Sequence, residues 1–122
     1  MQFHRDISES INIISAFGVA GIRVADRVFM PPCVITPSTL IENWTSNGIA
    51  QLSSDDLQPV MELQPELIIL GSGGTLSFPS PDVTKAVNSL GIGFEVMDTA
   101  AACRTYNVLA HEGRSLAVAL LK

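Results

Sequence analysis

The chain has 122 residues, of which 47% are hydrophobic and 16% charged, and a formal net charge of −5. That length is one domain, and the apolar content excludes disorder and makes metal or disulfide staples unnecessary for a core. The negative charge and the seven scattered basic residues exclude nonspecific nucleic-acid binding and attraction to an anionic membrane surface, both of which need clustered Lys and Arg.

Residues 1–10 are polar and read as a loose lead-in. Ile11 to Phe17 carries apolar groups on both faces and reads as the first strand of an N-terminal β-ribbon. Gly18 and Gly21 flank a turn. Ile22, Val24, Val28 and Met30 alternate with Arg23 and Arg27, and Ala25-Asp26 makes a hairpin corner between them. Pro31-Pro32 ends the ribbon, because proline removes ladder donors and restricts the residue before it. Cys33 to Thr36 is a short strand followed by a turn at Pro37-Ser38-Thr39. The stretch 39–46 is ambiguous between a short helix and a loop. Trp44 within it reads either as a stacking platform or as an anchor with its indole N–H on a carbonyl.

Ser53-Ser54-Asp55-Asp56 has the acidic first turn of a helix start, with Leu57, Val60, Met61 and Leu63 as an apolar stripe. Pro59 makes that helix short or kinked. Leu67 to Leu70 is an unbroken apolar run, hence a central strand covered on both faces, and it meets the glycine loop Gly71-Ser72-Gly73-Gly74-Thr75. A helix over 82–90 follows, with Val83, Val87 and Leu90 as its buried face. Residues 93–97 then form a strand, Asp98 and Thr99 suit an N-cap, and an alanine-rich helix runs over 99–112 until Gly113 stops it. The last segment, Leu116 to Leu121, fits strand or helix by periodicity.

The run beginning at Glu95, Glu-Val-Met-Asp-Thr-Ala-Ala-Ala-Cys-Arg-Thr-Tyr-Asn-Val-Leu-Ala, with Glu112-Gly113-Arg114 after it, resembles one family. Pro-Glu-Leu-Ile-Ile-Leu-Gly-Ser-Gly at 65–73 matches it upstream. This is the Mth-type domain of unknown function that includes mitochondrial complex I assembly factor 3 and the adipogenesis-associated Mth-domain protein. The resemblance implies an α/β fold with a central mixed sheet and, in the mitochondrial members, an assembly accessory role. It implies no catalytic residues and no cofactor.

The expected fold is therefore one three-layer α/β domain over 1–122. Its central mixed β-sheet holds strands near 66–70, 93–97 and 114–121, with flanking helices and the N-terminal ribbon. Two successive β-loop-α units place the glycine loop beside the start of the last helix, where free N–H groups and the positive dipole end suit an anion. Gly71, Ser72, Gly73, Asp98, Thr99, Cys103, Arg104 and Asn107 are the candidate cleft. The loop matches neither phosphate motif: Leu76 stands where a dinucleotide fingerprint has glycine, and no Gly-Lys-Ser/Thr ending follows.

Cys103 as a thiolate nucleophile lacks a base, because His111 is about 12 Å further along the axis. Asp98 reads as a cap first and pairs with Arg104, while Tyr106 and Asn107 bond to loop backbone. His4 and His111 have no metal-ligand spacing, and Cys33 and Cys103 lie far apart with no CxxC, so neither a metal nor a redox motif is present. The N-terminus has no apolar core for a signal peptide and is too acidic for a transit peptide, and no run is long enough to span a membrane. The expected location is cytoplasmic, with reduced thiols.

The leading functional expectation is a non-enzymatic accessory protein that binds another protein. A small anion- or nucleotide-binding cleft, with or without turnover, is the alternative, and a homodimer through the ribbon is a third reading.

Overall fold

The computed structural model describes residues 11–122, so the lead-in expected over 1–10 lies outside the described residues. Two sheets form. β1 (Ile14–Gly18), β2 (Gly21–Val24) and β3 (Arg27–Phe29) make an antiparallel ribbon in the order β1-β2-β3. β4 (Cys33–Ile35), β5 (Leu40–Glu42), β6 (Leu67–Gly71), β7 (Gly93–Met97) and β8 (Leu116–Leu120) make a mixed sheet in the order β5-β4-β8-β6-β7. β8, β6 and β7 run parallel, and β4 is antiparallel to both β8 and β5. The helices are α1 (Gln58–Met61, preceded by a 3-10 turn over Ser54–Leu57), α2 (Pro81–Asn88) and α3 (Thr99–His111). No helix among the described residues is long and apolar enough to cross a membrane.

The sheet is the middle of three layers because its alternating side chains enter two separate cores. Ile69, Leu116, Val118 and Leu120 face α3 and the ribbon, packing on Ile22, Phe29, Ala102, Cys103 and Tyr106. Ile68, Leu70, Ala117 and Ala119 face the other way, toward Leu57, Val60, Val83, Val87 and Trp44. β8 is buried along its whole length, which accounts for its apolar composition and its place between β4 and β6. The Trp44 indole N–H donates to the Leu120 carbonyl at 3.1 Å, so this side chain is the core anchor and not a stacking platform.

In its elements and core the structure departs from the sequence reading at four places. The first strand begins at Ile14, with an irregular register between Ile14 and Ala16. The ambiguous stretch after Thr39 is the edge strand β5, turned out of β4 by the Thr36 hydroxyl, which accepts from the N–H groups of Ser38 (3.2 Å) and Thr39 (2.8 Å). Leu63, expected in the helix stripe, is 39% exposed because α1 ends at Met61. Leu90, expected on the buried face of a helix reaching 90, is 61% exposed because α2 ends at Asn88, and Ile92 occupies the core instead.

Pro59 has the expected consequence: a 3-10 turn and a single α turn stand where an uninterrupted helix would. Asp56 holds that entry, its carboxylate accepting from the Ser53 N–H at 2.9 Å and the Thr45 hydroxyl at 2.7 Å.

Candidate functional site

β6 and β7 end together, and their loops are tied by backbone bonds from Ser72 N–H to Met97 carbonyl and from Thr99 N–H to Gly73 carbonyl, each 2.8 Å. Leu121 N–H donates to Gly71 carbonyl at 2.9 Å, which brings the chain end beyond β8 to the same place. Asp98 caps α3, its Oδ1 accepting from Ala101 N–H at 2.8 Å. The glycine loop and the helix start are therefore neighbours, as two parallel β-loop-α units require.

An open cleft of about 470 Å³ lies there, between the ribbon tip and the start of α3. Phe17, Val19, Gly73, Asp98, Thr99 and Lys122 are among its walls. Three expected residues, Gly73, Asp98 and Thr99, thus border one cleft. The remaining five do other work.

Gly71 is buried where α3 crosses β6. Ser72 is also buried; its hydroxyl donates to Thr75 carbonyl at 2.8 Å and accepts from Ser77 N–H at 3.1 Å, which closes the turn. Cys103 points into the core on the α3 side with no exposed surface. Arg104 is exposed and lies over the Phe17 ring at 5.4 Å, a cation–π contact in place of the expected pairing with Asp98. Asn107 is half-buried and clamps the backbone of β1: its Oδ1 accepts from Ile14 N–H at 2.9 Å, and its Nδ2 donates to Ile14 carbonyl at 2.7 Å. Tyr106 adds a bond from its hydroxyl to Asn12 carbonyl at 2.7 Å.

Burial removes the chemistry expected of a reactive thiol. It pushes the Cys103 thiol up to about 11 against a partial opposing effect of Arg104. Burial, with Cys103 and Glu42 nearby, pushes Cys33 up to about 12. Both thiols are free. At neutral pH each is protonated and shielded, so neither is a nucleophile.

Native protein at pH 7.5 is expected to react with a thiol reagent at least about tenfold more slowly than denatured protein, for which the two cysteines set the endpoint. The pH dependence has a definite sign. Above pH 9 the unfolded chain releases thiol protons that the native chain retains, so stability is full below that pH and is lost as pH rises through 11–12. A urea midpoint that held steady across that window would contradict the buried assignment.

Sequence reasoning missed a second concavity, of about 720 Å³, bordered by Trp44, Thr45, Asn47, Asp56 and Lys122. Its only local signature was the Ser53-to-Asp56 capping pattern. Burial pushes the Asp56 carboxyl up, and hydrogen bonds from Ser53, Thr45 and Asn47 more than offset this, leaving it below its ordinary value. Those bonds hold the turn together, so this carboxylate is a structural acceptor.

Residues 14–121 match the model of a protein family of unknown function, DUF498/DUF598. The chain belongs to this family. A solution structure of a Xanthomonas campestris protein is similar with a TM-score of 0.80 and 37% identity, over 90% of this chain and 83% of that one. The Bordetella pertussis protein described as a Mth938-like domain has a TM-score of 0.79 at 27% identity, over 92% of this chain and 86% of that one. Mouse NADH dehydrogenase [ubiquinone] 1 alpha subcomplex assembly factor 3 is 30% identical over 110 residues, which is 88% of this chain and 59% of the mouse protein. This chain thus spans less than two-thirds of that assembly factor's length. The family and the mixed α/β fold expected from the two motifs are both shown.

Proposed function

We propose that this DUF498/DUF598 chain is a non-enzymatic accessory protein that acts by binding another protein, and relatives named as assembly factors support the accessory part of this reading. The observation that carries the reading is how the chemistry-bearing side chains of the expected site are used. Asp98 caps a helix, Ser72 closes a turn, Asn107 holds a strand and Cys103 fills the core. What remains open to an incoming molecule combines apolar groups, Phe17 in the wall and Val19 at the rim with 100% of its surface exposed, with the exposed Lys122 beside them and the Arg104 guanidinium over Phe17. Exposed apolar groups gathered at a cleft favour a protein partner over a charged metabolite.

The anion or nucleotide reading has less support. Asp98 already occupies the positive end of α3, and a phosphate there would meet its carboxylate, a repulsion that only Lys122 in the wall and Arg104 over Phe17 could offset.

Affinity capture at native abundance tests the proposal. Wild-type protein should retain a specific partner, and Val19→Asp should reduce its recovery by about tenfold or more while leaving thermal unfolding unchanged, since Val19 makes no core contact. Recovery of nothing specific, together with stabilisation by a nucleotide in a thermal-shift assay, would replace this reading with the anion one.

A further inference from the structure

β7 is the last strand of the mixed sheet, and among the described residues it pairs only with β6. In a parallel ladder alternate residues direct both backbone groups toward one neighbour. Gly93 N–H bonds to Glu66 carbonyl at one end of β7, and Met97 carbonyl accepts from Ser72 N–H at the other. Residues 93, 95 and 97 therefore face β6, and the N–H and C=O groups of Phe94 and Val96 face away from the sheet.

The opposite edge is guarded differently. β5 is only three residues long and ends on Glu42, which is ion-paired with Arg27 at 3.8 Å. β7 is five residues long, and exposed Leu90 stands in the turn that enters it. An open edge of that length is a template for one more strand.

Charge decides which strand. A second copy pairing antiparallel about a two-fold axis makes its four hydrogen bonds when Phe94 lies opposite Val96. That register sets the two copies of Glu95 directly opposite each other in a close, non-hydrogen-bonded pair. Like charges there disfavour the pairing, and two chains of net charge −5 add to the repulsion. We infer that the β7 edge accepts an extended strand of a different protein, one that carries Lys or Arg opposite Glu95. The inference rests on the protein-binding reading above, and it names a surface separate from the apolar cleft.

The probe is a capped seven-residue peptide, Thr-Val-Thr-Lys-Thr-Val-Thr, compared with the same peptide carrying Glu for Lys. Titration followed by amide NMR should move the Phe94 and Val96 resonances, with the Lys peptide binding about threefold or more tightly at low salt. Val96→Pro removes one outward N–H without touching the β6 ladder and should abolish the shifts. Glu95→Lys, at an exposed position, should invert the preference between the peptides and covers the case in which the proline variant fails to fold.

Absence of shifts at Phe94 and Val96, equal binding of both peptides, or a wild-type dimer that Val96→Pro dissolves would each overturn the inference. The two proposals fail separately. A captured partner lost with Val19→Asp but kept with Val96→Pro removes the edge alone. Peptide binding with no captured partner and with stabilisation by a nucleotide leaves the edge and removes the cleft reading.

Discussion

Asn107→Ala is expected to lower the stability of the protein by about 2–4 kcal/mol, because it deletes two hydrogen bonds and strands both partners. Asn107 Oδ1 and Nδ2 hold the N–H and C=O of Ile14 at 2.9 and 2.7 Å. Ile14 is 4% exposed and belongs to the core on the α3 side, so water replaces the lost partners poorly. The amide is suited to this position because one planar group offers a donor and an acceptor to one residue's backbone.

Without it, the ribbon keeps Tyr106 as its other polar tie to α3, through the bond to Asn12 carbonyl. Urea unfolding should show the full loss, and hydrogen exchange should show it first in β1, where Ile14 N–H loses its acceptor. Tyr106→Phe removes one bond of the same kind and should cost less, about 1 kcal/mol. Asn107→Ala at wild-type stability would mean that packing and the Tyr106 bond hold the ribbon without help from Asn107.

Gly71→Ala is expected to cost about 1–3 kcal/mol, the range for a methyl forced into a filled interior. A Cβ there would lie 2.5 Å from Leu120 Cδ2 and 3.4 Å from Ala102 Cβ, and both neighbours are fully buried. Replacing glycine also restricts the unfolded chain, a gain of about 0.4–1 kcal/mol, which the clash outweighs. The glycine is there because α3 crosses β6 closely at its first turn, with Thr99 Cα 3.7 Å from the same point. The measurable consequence is a fall in melting temperature of roughly 4–12 °C, accompanied by loosening of the α3 N-terminus that borders the cleft. An unchanged melting temperature would show that Leu120 shifts without cost.

Much of the neighbourhood of the cleft is legible in the amino-acid sequence. Asp98 followed by an alanine-rich run is a capped helix by local propensity, and the glycine loop after Leu70 is a strand end by pattern. Two such units in succession bring the loops together. What local propensity and pattern lack is side-chain direction. Cys103, Arg104 and Asn107 are spaced along one helix near the loop, so sequence proximity assigns them all to the cleft. The rotation of α3 about its axis sends Cys103 into the sheet, Arg104 over Phe17 and Asn107 onto β1. β5 is illegible for a different reason: three residues are too few for an alternation to register.

The sequence by itself determined the family, the mixed α/β class, the order of the long elements and the place where loops converge. The family and the mixed sheet came from the resemblance of the two motifs, while the order of elements and the converging loops depend on short-range physics: caps, prolines, glycines and the periods of apolar residues. Only the tertiary structure decided which polar groups remain free to meet a partner. It also decided that Leu90 lies outside the core and that β7, not β8, is the long edge strand with a single partner among the described residues. Those outcomes depend on which face of each element the rest of the chain covers, and residues distant in sequence do that covering, as Ile14 does for Asn107 and Leu120 for Trp44.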